Sequence, residues 1–213
     1  MKSDLTRQLT AAATALAAVV WLALVLAAMI WMTDYSNSPG NSVTPPAQWP
    51  SASQIPRNAL GPTLVLFAHP RCPCTRATLG ELDLLMARSQ GQIQAHVLFV
   101  QPPGTTDNWA QTDLWRKASV IPGVKVHRDR EGVEAKQFHL ETSGHALLYD
   151  SAGRLLFQGG ITIARGHSGD NPGRSALTDL LNGGLAAQNI KTPVFGCALL
   201  ETEAQIGDVQ CKK

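Results

Sequence analysis

Cysteine is scarce in this chain, with four residues among 213. That is too few to staple a domain of this length, so their positions matter more than their number. Charge of one sign is missing as well. Eighteen Lys and Arg against sixteen Asp and Glu leave a formal net charge of +2. No basic stripe interleaved with aromatic residues runs through the sequence, which argues against nucleic-acid binding. No segment repeats, which removes solenoids and propellers. Long hydrophobic runs are absent with one exception, close to the N-terminus.

That exception is residues 10–32, opening at Thr10 and ending at Met32, 23 residues with nothing more polar than threonine. A helix of that length crosses a hydrocarbon core. Lys2 and Arg7 precede it, and the first basic residue after it is Arg57. The positive-inside rule therefore places residues 1–9 in the cytoplasm and the rest of the chain outside. A cleaved signal peptide would have a shorter apolar core and end at a small-x-small site. Here the run ends in bulky Ile30-Trp31-Met32. The segment reads as an uncleaved single-pass anchor, which in a bacterium sits in the inner membrane with the domain facing the periplasm. Either reading exports the domain to a compartment where disulfides persist.

Residues 33–61 are rich in Ser, Asn, Pro and Gly and contain Pro45-Pro46, the composition of a flexible, partly extended linker. Residues 62–184 then alternate strands and helices. A buried strand is expected at 64–67. A helix follows over 75–88, with Leu79, Leu82, Leu85 and Met86 at helical spacing. A second strand ends at Val100. A helix over 106–120 carries Trp109 and Trp115, with Asp107 near its start. A short strand is expected at 124–127 and a short helix at 131–139. Residues 146–149 and 155–158 form a hairpin around a Gly-containing loop. Asn171-Pro172 supplies a cap and a first-turn proline for a last helix ending near Leu181. Residues 185–213 form a C-terminal tail. This order implies an α/β sandwich with a mixed central sheet.

The chemistry concentrates in His69-Pro70-Arg71-Cys72-Pro73-Cys74-Thr75-Arg76, directly after the first strand. A first cysteine five residues beyond a strand phenylalanine, as Cys72 is beyond Phe67, resembles the thioredoxin-like superfamily over residues 62–184. HPRCPCTRATLGEL, FQGGITIARGHSGDN and TPVFGC resemble the small membrane-anchored, RedB-like proteins within it. The resemblance implies a thioredoxin-like sandwich and thiol–disulfide oxidoreductase activity on protein thiols or disulfides, with no cofactor. It also gives Cys197, in TPVFGC, a defined role. Four features depart from the superfamily pattern. The motif is Cys-Pro-Cys instead of Cys-x-x-Cys, and Arg71 replaces the usual tryptophan. Thr142-Ser143-Gly144-His145 stands where a cis-proline normally faces the cysteines, and Leu66 replaces a buried acid.

Thiolate is the reactive species, and a helix start with positive charge nearby favours it. Cys72 is therefore expected to be the attacking, more exposed cysteine, with a low pKa aided by Arg71 and Arg76. Pro73 suits the first helical position, and Cys74 is the expected resolving partner. A disulfide between residues two apart is geometrically tight and hence easily reduced. The competing reading is Cu(I) held by His69, Cys72 and Cys74, since soft thiolates select that ion. A third is a non-catalytic thioredoxin-fold binding domain in which the cysteines are incidental.

In such a sandwich the loop after the hairpin lies beside Cys72. That loop carries Arg165, which could stabilise a thiolate or bind an acidic partner, and His167, which could move protons or ligate metal. Alternatively, it is an ordered loop held by Asp170 capping and Arg–Asp pairing. His145 has the same standing, whereas His96, His127 and His139 read as surface or core-edge residues. Cys197 and Cys211 either pair to pin the tail, or Cys197 folds back to exchange with Cys72 or Cys74.

Overall fold

The computed structural model describes residues 2–89, 91–106, 108–183 and 189–200. It divides into two units, Met1–Ser38 and Pro39–Lys213. The first is a single helix, α1 (Lys2–Asn37). Its stretch Thr6–Asn37 is long and apolar enough to cross a membrane.

The second unit is a six-stranded mixed sheet. Its strands are β1 (Thr63–Ala68), β2 (Gln94–Gln101), β3 (Val124–Arg130), β4 (His145–Tyr149), β5 (Leu155–Gly159) and β6 (Ile190–Lys191), in the order β3-β2-β1-β4-β5-β6. β1 runs parallel to β2 and antiparallel to β4. The central strands are apolar at nearly every position because both faces are covered. Leu64, Leu66 and Ala68 of β1, with Ala95, Val97 and Phe99 of β2, face one core. Helices α2 (Pro73–Ser89), α3 (Asp113–Ser119) and α5 (Pro172–Leu181) pack there through Leu79, Leu82, Leu114 and Leu177. Val65, Phe67, Leu98 and Val100 face a second core with Phe138, Leu147 and Tyr149. The short α4 (Val133–Gln137) supplies Ala135 to it.

Local rules account for the elements that were expected. In the hairpin, the Gly153 amide donates to the Asp150 carbonyl at 2.9 Å, and Gly153 takes φ +82°, which glycine adopts without strain. In α5, Asn171 Oδ1 accepts the Arg174 amide at 2.8 Å, with Pro172 at the first turn. α3 is shorter than the periodicity suggests. Trp109 lies in the turns that precede it, where its ring is engaged by His69 and Arg71. Asp107 lies outside the described residues.

The expected linker over 33–61 differs most from the structure, because the chain from Pro39 onward is laid against the second core. Trp49 meets the rings of Phe138 and Tyr149 edge-on at 5.3 and 5.2 Å, and Ile55 is buried. Tyr149 donates its hydroxyl to the Pro46 carbonyl at 2.9 Å. The amides of Trp49 and Leu155 donate to Gly153 and Ala47 at 2.8 and 2.9 Å. Glu134 accepts Ser53 Oγ and the Gln54 amide, both at 2.7 Å. The physical reason is coverage. One five-residue helix cannot hide this sheet face, and widely spaced Val43, Trp49 and Ile55 finish the task. Burying a side chain such as Ile55 stabilises by roughly 1.5–3 kcal/mol, and the partly buried Val43 and Trp49 add to it.

Candidate active site

β1 delivers its C-terminal end to a tight turn at His69–Arg71. The Cys72 amide donates to the His69 carbonyl at 3.2 Å, and the Thr75 amide to the Cys72 carbonyl at 3.1 Å. Cys72 thus occupies the N-cap of α2, with Pro73 at the first helical position, as expected. Beneath it lies a small polar lock that the sequence reading missed. Ser143 Oγ accepts the His69 amide at 2.8 Å and shares a hydrogen bond with Thr75 Oγ1 at 3.0 Å. The Gly144 amide donates to the Phe67 carbonyl at 2.8 Å. The only available signal was Ser143's position, in the stretch where the resemblance expects a proline facing the cysteines.

The C-terminal segment closes over this point. Cys197 Sγ lies 2.7 Å from Cys72 Sγ. Cys72, Cys74 and Cys197 are all free thiols. Hydrogen bonds from the Cys197 and Cys74 thiols, and from the Cys197 and Thr75 amides, hold the Cys72 thiol far below its ordinary pKa, against the opposing effect of burial. The same sharing pushes Cys74 and Cys197 upward, reinforced by burial and by the Cys72 charge, while the Arg165 guanidinium pulls both down. These directions place the negative charge on Cys72, with Cys74 and Cys197 as its protonated hydrogen-bond donors.

Several expectations need correcting here. Cys72 is the less exposed of the motif's two cysteines, at 1% against 9% for Cys74, and the segment at Cys197 lies against it. Arg71 is exposed and lies 4.8 Å over the Trp109 ring, and Arg76 pairs with Asp113. Thiols and amides hold the Cys72 anion instead. Arg165 does reach the site, donating from Nη1 to the Gly196 carbonyl at 2.8 Å. His167 is exposed, and its Nδ1 is hydrogen-bonded to the Arg165 carbonyl at 2.7 Å, so it orders the loop. Cys211 lies outside the described residues.

His69 is fully buried, its Nδ1 accepting the Arg71 amide at 3.2 Å and its ring edge-on to Trp109. Among the described residues, no group of three or more His, Cys, Asp and Glu side chains is disposed to hold a metal ion. His145 is buried beside a cavity of about 350 Å³ lined also by Val43, Gln158 and Lys191. Burial lowers its pKa to about 4. Behind the site the loop is clamped by a buried acid that went unnoticed in the sequence. Glu81 accepts the Gly169 amide at 2.7 Å and Asn171 Nδ2 at 3.2 Å, and pairs with Arg174.

A sheet of this order, with the site at the end of β1 and the start of α2, gives the second unit a thioredoxin-like fold. No protein-family model matches the chain, and no curated protein matches it. Among solved structures it is similar to a hypothetical protein from Sinorhizobium meliloti, at 18% identity and TM-score 0.58, over 78% of this chain and 99% of that one. It is also similar to an uncharacterized conserved protein from Geobacillus kaustophilus, at 13% identity and TM-score 0.53, over 78% and 94%. A secreted Mycobacterium tuberculosis disulfide oxidoreductase matches at 14% identity and TM-score 0.43, over 58% and 81%. These likenesses are of fold.

Proposed function

We propose that this protein is a membrane-anchored thiol–disulfide oxidoreductase that works outside the cytoplasm. The observation that carries the reading is the contact of Cys72 and Cys197 at 2.7 Å, centred on a thiol held in its anionic form at a helix start. The Cys72 thiolate attacks one sulfur of a partner's disulfide. The partner's S–S bond breaks, and its first thiolate leaves and takes a proton. The Cys197 thiol gives up its proton and attacks Cys72 Sγ, which releases the partner's second thiol. The partner's disulfide has gained two electrons, and Cys72–Cys197 has become the disulfide. With a partner dithiol the same path runs backward. Cys197 suits the resolving role better than Cys74, because a bridge between residues two apart is strained whereas Cys197 arrives on a separate segment. The basic residues Lys2 and Arg7 ahead of α1, with none between it and Arg57, support an outward-facing domain.

The test is a redox titration of the full chain in detergent, read by thiol alkylation and peptide mass spectrometry, with and without Cu(I). Cys72 and Cys197 should oxidise together at a single midpoint, with alkylation unaffected by Cu(I). Resistance to oxidation, or stoichiometric protection by Cu(I), would overturn the assignment in favour of copper handling.

A further inference from the structure

The segment that covers Cys72 is held as a docked peptide would be. The Ser143 amide donates to the Cys197 carbonyl at 2.8 Å, and the Leu199 amide donates to the Glu141 carbonyl at 2.8 Å. Thr142 and Ala198 form an antiparallel bridge between them. Residues 141–143 therefore act as a short open sheet edge, and 197–199 add to it as a strand does. Main-chain bonds of this kind accept any sequence, so selectivity falls to the side chains at alternate positions. Three positions are restrictive here. At 196, a Cβ would collide with the Ser143 carbonyl oxygen, so only glycine fits. At 197, the sulfur lies on Cys72. At 199, the leucine is fully buried in the second core.

We propose that residues 196–199 are an internal substrate that fills the docking edge of this enzyme. Its partners are then proteins that present an extended Gly-Cys-x-Leu-like segment, with glycine before the reactive cysteine and an apolar residue two places after it. This rests on the oxidoreductase reading and adds to it a substrate class and a form of self-inhibition. A partner gains Cys72 only when the chain's own strand yields the edge, and Cys197 resolves the mixed disulfide when that strand docks again.

The experiment uses the reduced full-length chain in detergent. The probe is the peptide Phe-Gly-Cys-Ala-Leu, its cysteine carried as a mixed disulfide with thionitrobenzoate. Attack by Cys72 on the peptide sulfur forms a Cys72–peptide disulfide and expels the coloured thionitrobenzoate anion. Colour is read together with the mass of that adduct, or of the Cys72–Cys197 disulfide that replaces it when Cys197 releases the peptide. The comparator peptide has Val for Gly. The protein is tested as wild type, as Gly196→Val, which pushes the strand off Ser143, and as Leu199→Ala, which weakens its anchor without crowding. Both variants should react with the Gly peptide about tenfold faster than wild type or more, a loss of roughly 1.4 kcal/mol of occlusion, and both should prefer it to the Val peptide. Should Gly196→Val fail to fold, Leu199→Ala carries the test alone. Equal rates for the two peptides, or variants no faster than wild type, would sink the internal-substrate proposal while Cys72-dependent release upholds the oxidoreductase reading. Absence of release from wild type and folded variant alike would sink both.

Discussion

Helix α2 carries two buried anionic sites nine residues apart, Cys72 at its start and Glu81 within it, and they are built in opposite ways. Glu81 is fully buried and receives an amide, an asparagine side chain and the Arg174 guanidinium. Arg174 is in turn paired with Asp170 at 2.9 Å. Every donor there is fixed and nothing can be handed on. The Cys72 charge is held by two thiols and two amides, and the two thiols keep their protons for as long as Cys72 carries that charge. A buried charge locked to a cation serves shape, whereas one held by neighbouring thiols, whose own sulfurs are ready once that charge is consumed, serves chemistry.

The largest effect expected from breaking this contrast is at Cys72. Cys72→Ser should reduce disulfide exchange to the background rate of buffer, measured with a peptide disulfide. In the wild type, alkylation of Cys72 should stay nearly constant from pH 8 down to 5, since its pKa lies far below that window. Alkylation of an ordinary thiol falls about tenfold per unit below its pKa. A slope of that size at Cys72 would show that its neighbours do not hold the anion.

Next in size is Glu81→Ala, which leaves Arg174 buried without its main partner. It should cost about 3–5 kcal/mol in urea unfolding, while Cys72 alkylation in the folded protein is unchanged. Loss of the alkylation rate in step with stability would mean that the two sites are coupled.

A third effect comes from His96, fully buried in β2, with Nδ1 2.8 Å from His127 Nε2. Burial lowers its pKa from 6.5 to about 4. The unfolded chain therefore takes up the proton first as pH falls. The stability from keeping His96 neutral is complete above pH 6.5 and is lost progressively toward pH 4, by up to about 3 kcal/mol. Urea midpoints at pH 7.5 and 4.5 check the sign, and His96→Gln should flatten the difference.

The smallest change is Arg165→Gln. The guanidinium holds the Gly196 carbonyl and lowers the Cys74 and Cys197 thiols. Because the residue is only half-buried, its removal should slow resolution by less than about tenfold. A larger loss in single-turnover kinetics would mean that Arg165 contacts the partner as well.

What could be read from the sequence was what short-range patterns dictate. The apolar run of β1, the Asp150–Gly153 turn, the Asn171 cap and Cys72 at a helix start each depend on neighbours a few residues away. The pieces that escaped depend on distant ones. Glu81 reads as an ordinary polar helix position because Arg174 lies 93 residues further on. Cys197 could be named as a candidate, but its meeting with Cys72 spans 125 residues, and no spacing rule selects that pairing over Cys211. The burial of Cys72 was missed for the same reason. Trp49 and Ile55 were hidden by the Pro- and Ser-rich company they keep, which has the composition of a linker even where it lies against a core.

That strap has a mechanical consequence. Gly40 donates its amide to the Val194 carbonyl at 2.8 Å, and Lys191 Nζ donates to Ser42 Oγ at 3.0 Å. The first residues of the domain after α1 are thus stitched to the stretch that leads into the Cys197 cover. Tension arriving along the chain from Asn37 meets those stitches, one of them on the edge strand β6, before it meets Trp49. Whatever pulls on the chain ahead of Pro39 tugs first on the stretch that runs on to Cys197.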